Sequence, residues 1–115
     1  MNLEHKFSAL QLALINDQAA LYTCSCPLQV SLQISNLRKL FDYQKKCMDD
    51  YLILSKELDA LTENDVEMLV HRRIAEVTKQ AHQLMEQCLD EILELEGWDK
   101  SKLEMPATRI RKRIE

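Results

Sequence analysis

Hydrophobic residues recur along the first part of the chain with the spacing of an amphipathic helix. The apolar positions Leu3, Phe7, Leu10, Leu14 and Leu21 are three, four or seven residues apart, which is the spacing of one helical face. This pattern predicts a first helix over residues 3–23. A break follows at Pro27, because proline suits the first turn of a new helix, where its missing N–H has no partner to lose.

Residues 28–35 alternate between apolar and polar side chains, as a strand would. However, Val30, Ile34, Leu37 and Phe41 also form one helical stripe, and the sequence offers no second strand for pairing. A lone strand is not stable in water. The segment is therefore predicted to open a second helix that runs to about Asp59.

The second and third helices are predicted to be long and to carry apolar seams. The third helix is expected over residues 63–96 and to end at Gly97, which suits the left-handed position after a last turn, with Trp98 packing on Leu93. Both seams step by three and four residues, which is typical of coiled coils. The seam of the second helix comprises Leu37, Leu40, Gln44, Cys47, Tyr51, Leu54, Leu58 and Leu61. The face of the third comprises Val66, Val70, Ile74, Val77, Ala81, Leu84, Cys88, Ile92 and Leu95.

These elements predict an all-α, up-down-up helical bundle with a long antiparallel hairpin of helices 2 and 3. One glycine and two prolines are too few for the turns of sandwiches, barrels or doubly wound sheets. Residues 1–98 are expected to form the bundle domain, and residues 99–115 a basic C-terminal tail. Because one short helix cannot cover the apolar stripes of a long hairpin, we expect a homodimer to complete the bundle.

Charge is distributed unevenly along the chain. The formal net charge is −4, and six of the fifteen Lys and Arg residues lie in the last eighteen positions, which hold only three acidic residues. An acidic body repels nucleic acid and anionic membranes, so neither is an expected partner, although the tail leaves weak nucleic-acid binding as an alternative function. The uncharged stretch 18–37 contains many polar side chains and Pro27, which disfavours a membrane span. We expect a cytoplasmic protein with reduced thiols.

The pair Cys24 and Cys26 is the candidate for thiol redox chemistry or metal binding, a second alternative function. Structural zinc sites usually space paired ligands by two to four residues and supply a second pair. Here one residue intervenes and no second pair follows, so packing is the favoured interpretation of the two cysteines. Glu67 with His71, and His82 with Glu86, are expected to be pairs on the helix surface. We expect no cofactor, no catalytic residues and no enzymatic activity.

The charge-free stretch 18–37 resembles the centre of a protein interface, where charge is depleted, and the expected contact surface joins this stretch to the exposed part of the hairpin seam. Packing within the monomer is the alternative explanation. The sequence therefore predicts a protein–protein interaction module of adaptor, chaperone or regulator type, with a partner that it does not identify. The expected interface residues are Leu28, Val30, Leu32, Gln33, Ile34, Leu37 and Phe41.

Acidic residues crowd the last turns of the third helix, against the helix dipole, which favours cations there. We therefore expect the basic tail to fold back on this acidic end, with a solvated tail as the alternative. The predicted contact joins Glu86, Asp90 and Glu94 to Arg109, Arg111 and Arg113.

Overall fold

The computed structural model describes residues 2–21, 25–58 and 65–106. The described residues form three helices: α1 at Ala9–Ala19, α2 at Cys26–Leu58 and α3 at Val66–Leu95. Helices α2 and α3 pack closely as a hairpin, so the all-α fold with its long hairpin is confirmed. Among the described residues, no helix is both long and apolar enough to cross a membrane.

The chain divides into two compact units. The hairpin unit comprises Met1–Leu3 and Asn36–His82, and the terminal unit comprises Glu4–Ser35 and Gln83–Glu115. Both long helices therefore contribute one part of their length to each unit.

Helix α1 is shorter than predicted because a capping box starts it at Ala9. The Ser8 side chain accepts from the backbone N–H of Gln11 at 3.1 Å, and the Gln11 side chain accepts from the Ser8 N–H at 2.8 Å. These bonds satisfy N–H groups that a helix start leaves without partners. The predicted start at residue 3 is therefore wrong, as is the end at residue 23, since α1 closes at Ala19 with Ala20 as its C-cap.

The buried face of α1 also differs from the predicted stripe. Leu12 and Ile15 are buried, whereas Leu10 and Leu14 of the predicted stripe are exposed. Phe7 occupies the position before the cap and Leu12 the fourth helical position, which is the arrangement of a hydrophobic staple. Both belong to the core of the terminal unit, whose buried members are Phe7, Leu12, Ile15, Ala19, Ile34, Leu89, Leu93, Trp98, Leu103 and Met105.

Helix α3 ends as the sequence predicts. Gly97 has φ +76°, and the Trp98 N–H donates to the Leu93 carbonyl at 2.9 Å. The Gly97 N–H donates to Glu94 at 3.0 Å, which completes a Schellman motif. The chain then turns back, and Met105 donates its N–H to the Gln18 side chain of the same unit at 3.2 Å.

The residues of α3 that face α2 lie one position after those of the predicted seam. The predicted positions Val70 and Val77 are exposed, whereas the next residues are half-buried His71 and buried Thr78. The pattern of apolar residues therefore gives the wrong face. The more enclosed positions of α3 are Met68, His71, Ala75, Thr78, His82, Glu86, Leu89 and Leu93.

The seam of α2 is partly as predicted. Gln44 and Tyr51 are buried and Cys47 is half-buried, but Leu40 and Leu54 are exposed, and Phe41 is buried beside Leu40. The heptad register is thus wrong at Leu40 and Leu54. Within α2, the helical conformation of residues 28–35 and the position of Pro27 in the first turn are confirmed.

Candidate functional site

Polar contacts join α2 to α3 and to Asp65, the residue before α3, in the hairpin unit. Gln44 Oε1 accepts from His71 Nδ1 at 2.7 Å, since an amide oxygen can only accept. Arg38 Nε donates to His82 Nε2 at 3.0 Å, and this bond requires that nitrogen to be unprotonated. A further contact is made by the Tyr51 hydroxyl, which donates to the Asp65 carboxylate at 2.5 Å and thereby raises the pKa of Tyr51 to about 12.

Two predicted surface pairs have different outcomes. His71 Nε2 lies 4.0 Å from the exposed Glu67 carboxylate, so this pair exists as expected. His82 and Glu86 are instead buried, at 1% and 4% exposure, and the prediction that they form a surface pair is wrong. Their burial is tolerated because each has a hydrogen-bond partner, which for His82 is Arg38.

Glu86 holds the N-terminal segment of the terminal unit. Its Oε2 atom accepts from the backbone N–H groups of Lys6 and Phe7 at 2.7 and 3.0 Å. The Lys6 ammonium lies 3.3 Å from Asp90. The acidic end of α3 is therefore neutralised in part by residues near the N-terminus, which the sequence analysis did not connect with it.

The basic segment after α3 supplies one further cation at this acidic end. Lys100 Nζ lies 3.2 Å from Asp90 and 3.4 Å from Glu94. Partial burial raises the pKa of Asp90, but hydrogen bonds from Lys100 and Lys6 outweigh it and hold that pKa below its ordinary value. The tail residues predicted to make this contact, Arg109, Arg111 and Arg113, lie outside the described residues.

The predicted interface residues fall into two groups. Ile34 and Phe41 are buried within the chain at 0% and 2% exposure, and Leu28, Val30 and Leu37 are half-buried. Packing within the chain therefore accounts for Ile34 and Phe41, whose side chains present almost no surface to a partner. Two exposed members of the set remain available for contact, Leu32 and Gln33.

Of the two cysteines proposed for thiol or metal chemistry, Cys26 is exposed in the first turn of α2 and forms no disulfide with another described cysteine. Cys24 lies outside the described residues. Cys47 and Cys88 likewise form no disulfide with a described cysteine. In the parts of the chain that the structure describes, no three histidine, cysteine or acidic side chains are grouped as metal ligands.

An apolar stripe on each helix of the hairpin unit remains exposed or half-buried. On α2, Tyr43 is 61% exposed and its hydroxyl is hydrogen-bonded to the half-buried Cys47, which raises the pKa of Tyr43. On α3, Val70 is 50% exposed and Val77 is 44% exposed. We call the two stripes together the open face, which comprises Leu40, Tyr43, Cys47 and Leu54 of α2 and Val70, Ile74, Val77 and Ala81 of α3.

Both stripes lie on the same side of the α2–α3 contact. Tyr43 directly precedes Gln44 of the contact face on α2, and Val70 directly precedes His71 on α3. One residue turns a helix by about 100°. Because the helices are antiparallel, the same offset in sequence rotates both stripes towards the same side. The open face is therefore one surface formed by two helices.

The sequence contains every residue of this face, and the seam analysis identified seven of the eight as apolar seam positions. The apolar pattern does not show that these residues point away from the α2–α3 contact. Comparisons of the chain with family models, with curated proteins and with solved structures returned no match.

Proposed function

We propose that this chain is a small helical protein–protein interaction module of adaptor, chaperone or regulator type, which binds its partner through the open face. The observation that carries the proposal is a surface of eight uncharged residues, seven of them apolar or cysteine and one tyrosine, shared by two neighbouring helices. The hairpin does not need this surface for its own contact, which uses the adjoining face. Contiguous exposed apolar surfaces of this kind mark interaction sites.

The shape of the surface favours a helical partner. Two antiparallel helices that expose apolar rows on one side form a groove between their rows, and an amphipathic helix fits such a groove with anchors at every third or fourth residue. Tyr43 adds a large side chain with a polar tip at the edge of this groove. Tyrosine is enriched at protein interfaces for that combination.

Site-specific photo-crosslinking tests the proposal. A photoreactive amino acid is placed at Val70 on the open face or, as a matched control, at Lys79, an exposed position on another side of α3. Irradiation in an extract of the native cells should give discrete protein adducts from position 70 and few from position 79. Equal adduct yields at the two positions, or no adduct from position 70, would contradict an interaction site on this face.

A further inference from the structure

We infer that the occupant of the open face is a second copy of this chain, paired about a two-fold axis that lies between the two copies, perpendicular to α2 and level with Met48. The inference rests on the proposed function, because it names the partner of that same surface. Two properties of the hairpin unit support it: the area of the face and the charges along its edge.

The area of the face suits a pair of small proteins. Five of its residues are 40–61% exposed, and three are half-buried. At about 100 Å² for a whole apolar side chain, the face offers on the order of 300 Å² of apolar surface. One side of a standard interface contains roughly 450 Å² of apolar surface. The expected complex is therefore a dimer whose interface lies at the small end of the range.

The charges at the edge of the face suit a two-fold pair. Lys46 and Asp50 are exposed and flank the α2 stripe at its outer edge, four residues apart. In an antiparallel pair of α2 helices, residues equally spaced on either side of the axis face each other. An axis at Met48 therefore brings Lys46 of each copy opposite Asp50 of the other. Each dimer then contains two Lys46–Asp50 contacts between the copies, and neither residue faces its own counterpart. These charges favour the antiparallel pairing at Met48 over other alignments of the two α2 helices.

Charge reversal at the edge tests the inference with purified full-length protein. Sedimentation equilibrium should show a reversible dimer. Lys46→Glu and Asp50→Lys should each weaken dimerisation about tenfold, because each replaces two attractive contacts with repulsive ones. The double variant should return to within about threefold of the original affinity, since the opposite charges again face each other. Asp49→Lys, at an exposed position next to Asp50 but on the far side of α2 from the open face, is the matched control and should leave affinity unchanged.

Three results would overturn the inference: a monomer at the highest soluble concentration, a dimer indifferent to both single reversals, or a double variant weaker than either single variant. Circular dichroism checks that each variant keeps its helices, and the substituted side chains are exposed, so folding should survive. The outcome is separable from that of the proposed function. If purified protein is monomeric while position 70 crosslinks to a different protein, the interaction site stands and the second copy is excluded as its occupant.

Discussion

Replacing Ser31 by alanine should stabilise the protein, although Ser31 is completely buried. Its side chain has 0% exposure, and its Oγ atom has no hydrogen-bond partner among the described residues. A buried hydroxyl without a partner costs about 1–3 kcal/mol relative to one in water. Alanine removes that cost and adds several tenths of a kcal/mol in helix propensity. The small void left by one oxygen offsets part of this gain.

The net effect of Ser31→Ala should be a gain of about 1–2 kcal/mol in the free energy of unfolding, or a rise of roughly 4–8 °C in Tm for a domain of this size. The matched control is the same substitution at Ser8, which caps α1 through its bond to Gln11. Ser8→Ala should cost about 1 kcal/mol, because it leaves a helix N–H without its partner.

Thermal and urea unfolding, followed by circular dichroism, measure both variants under one set of conditions. The essential result is that the free energy of unfolding rises in Ser31→Ala and falls in Ser8→Ala. A general preference for alanine in helices would explain the rise but not the fall. A Ser31→Ala variant with an unchanged or lower Tm would refute the reasoning. It would mean that the hydroxyl is hydrogen-bonded, for example to a buried water molecule.

Three further substitutions have defined outcomes. Gly97→Ala should lower stability by about 1 kcal/mol, since alanine is strained at a positive φ; an unchanged urea midpoint would contradict the assigned helix end. The pKa of Tyr51 is raised to about 12 in the folded state, whereas a tyrosine of the unfolded chain has a pKa of about 10. The hydrogen bond of Tyr51 to Asp65 therefore stabilises the fold fully below pH 10, and this stabilisation is lost as the pH rises from 10 to about 12. Tyr51→Phe should therefore reduce the fall in Tm between pH 10 and 12. If Tm depends on pH in the same way in the variant, another group causes that fall. Lys100→Ala should lower Tm slightly at low salt and less at high salt, because its contact with Asp90 is partly exposed and screened; equal effects at both salt concentrations would argue against an ionic contact.

The number of helices, the hairpin and the cap at Gly97 could all be predicted from the sequence, because each depends on local chemistry. Proline in a first turn and glycine after a last turn act through their own backbones. The start of α1 also depends on local chemistry. Ser8 and Gln11 have the spacing of a capping box, which indicates a helix start at Ala9. The longer apolar stripe indicates a start at residue 3, and the capping box is the better guide.

The contact face of α3 could not be predicted from the apolar pattern, because hydrogen-bond partners across the hairpin decide it. His82 would ordinarily be assigned to the surface, yet Arg38 supplies the donor that makes its burial acceptable. Gln44 and His71 satisfy each other in the same way. A pattern of single residues does not contain such pairings, which come from two distant parts of the chain. The open face is the consequence, since polar pairs occupy positions that the apolar rows would otherwise fill.

The bonds from Glu86 to the backbone of Lys6 and Phe7 also affect the order in which the chain can fold during its synthesis. Phe7 and Glu86 are 79 residues apart in sequence. At about 5–20 residues per second, a ribosome adds Glu86 roughly 4–16 seconds after Phe7. His71 follows Gln44 by only 27 residues, so the hairpin contact becomes possible within about 1–5 seconds of its first residue. The N-terminal segment therefore cannot make these bonds until Glu86 has been added, fifteen residues after His71 of the hairpin contact.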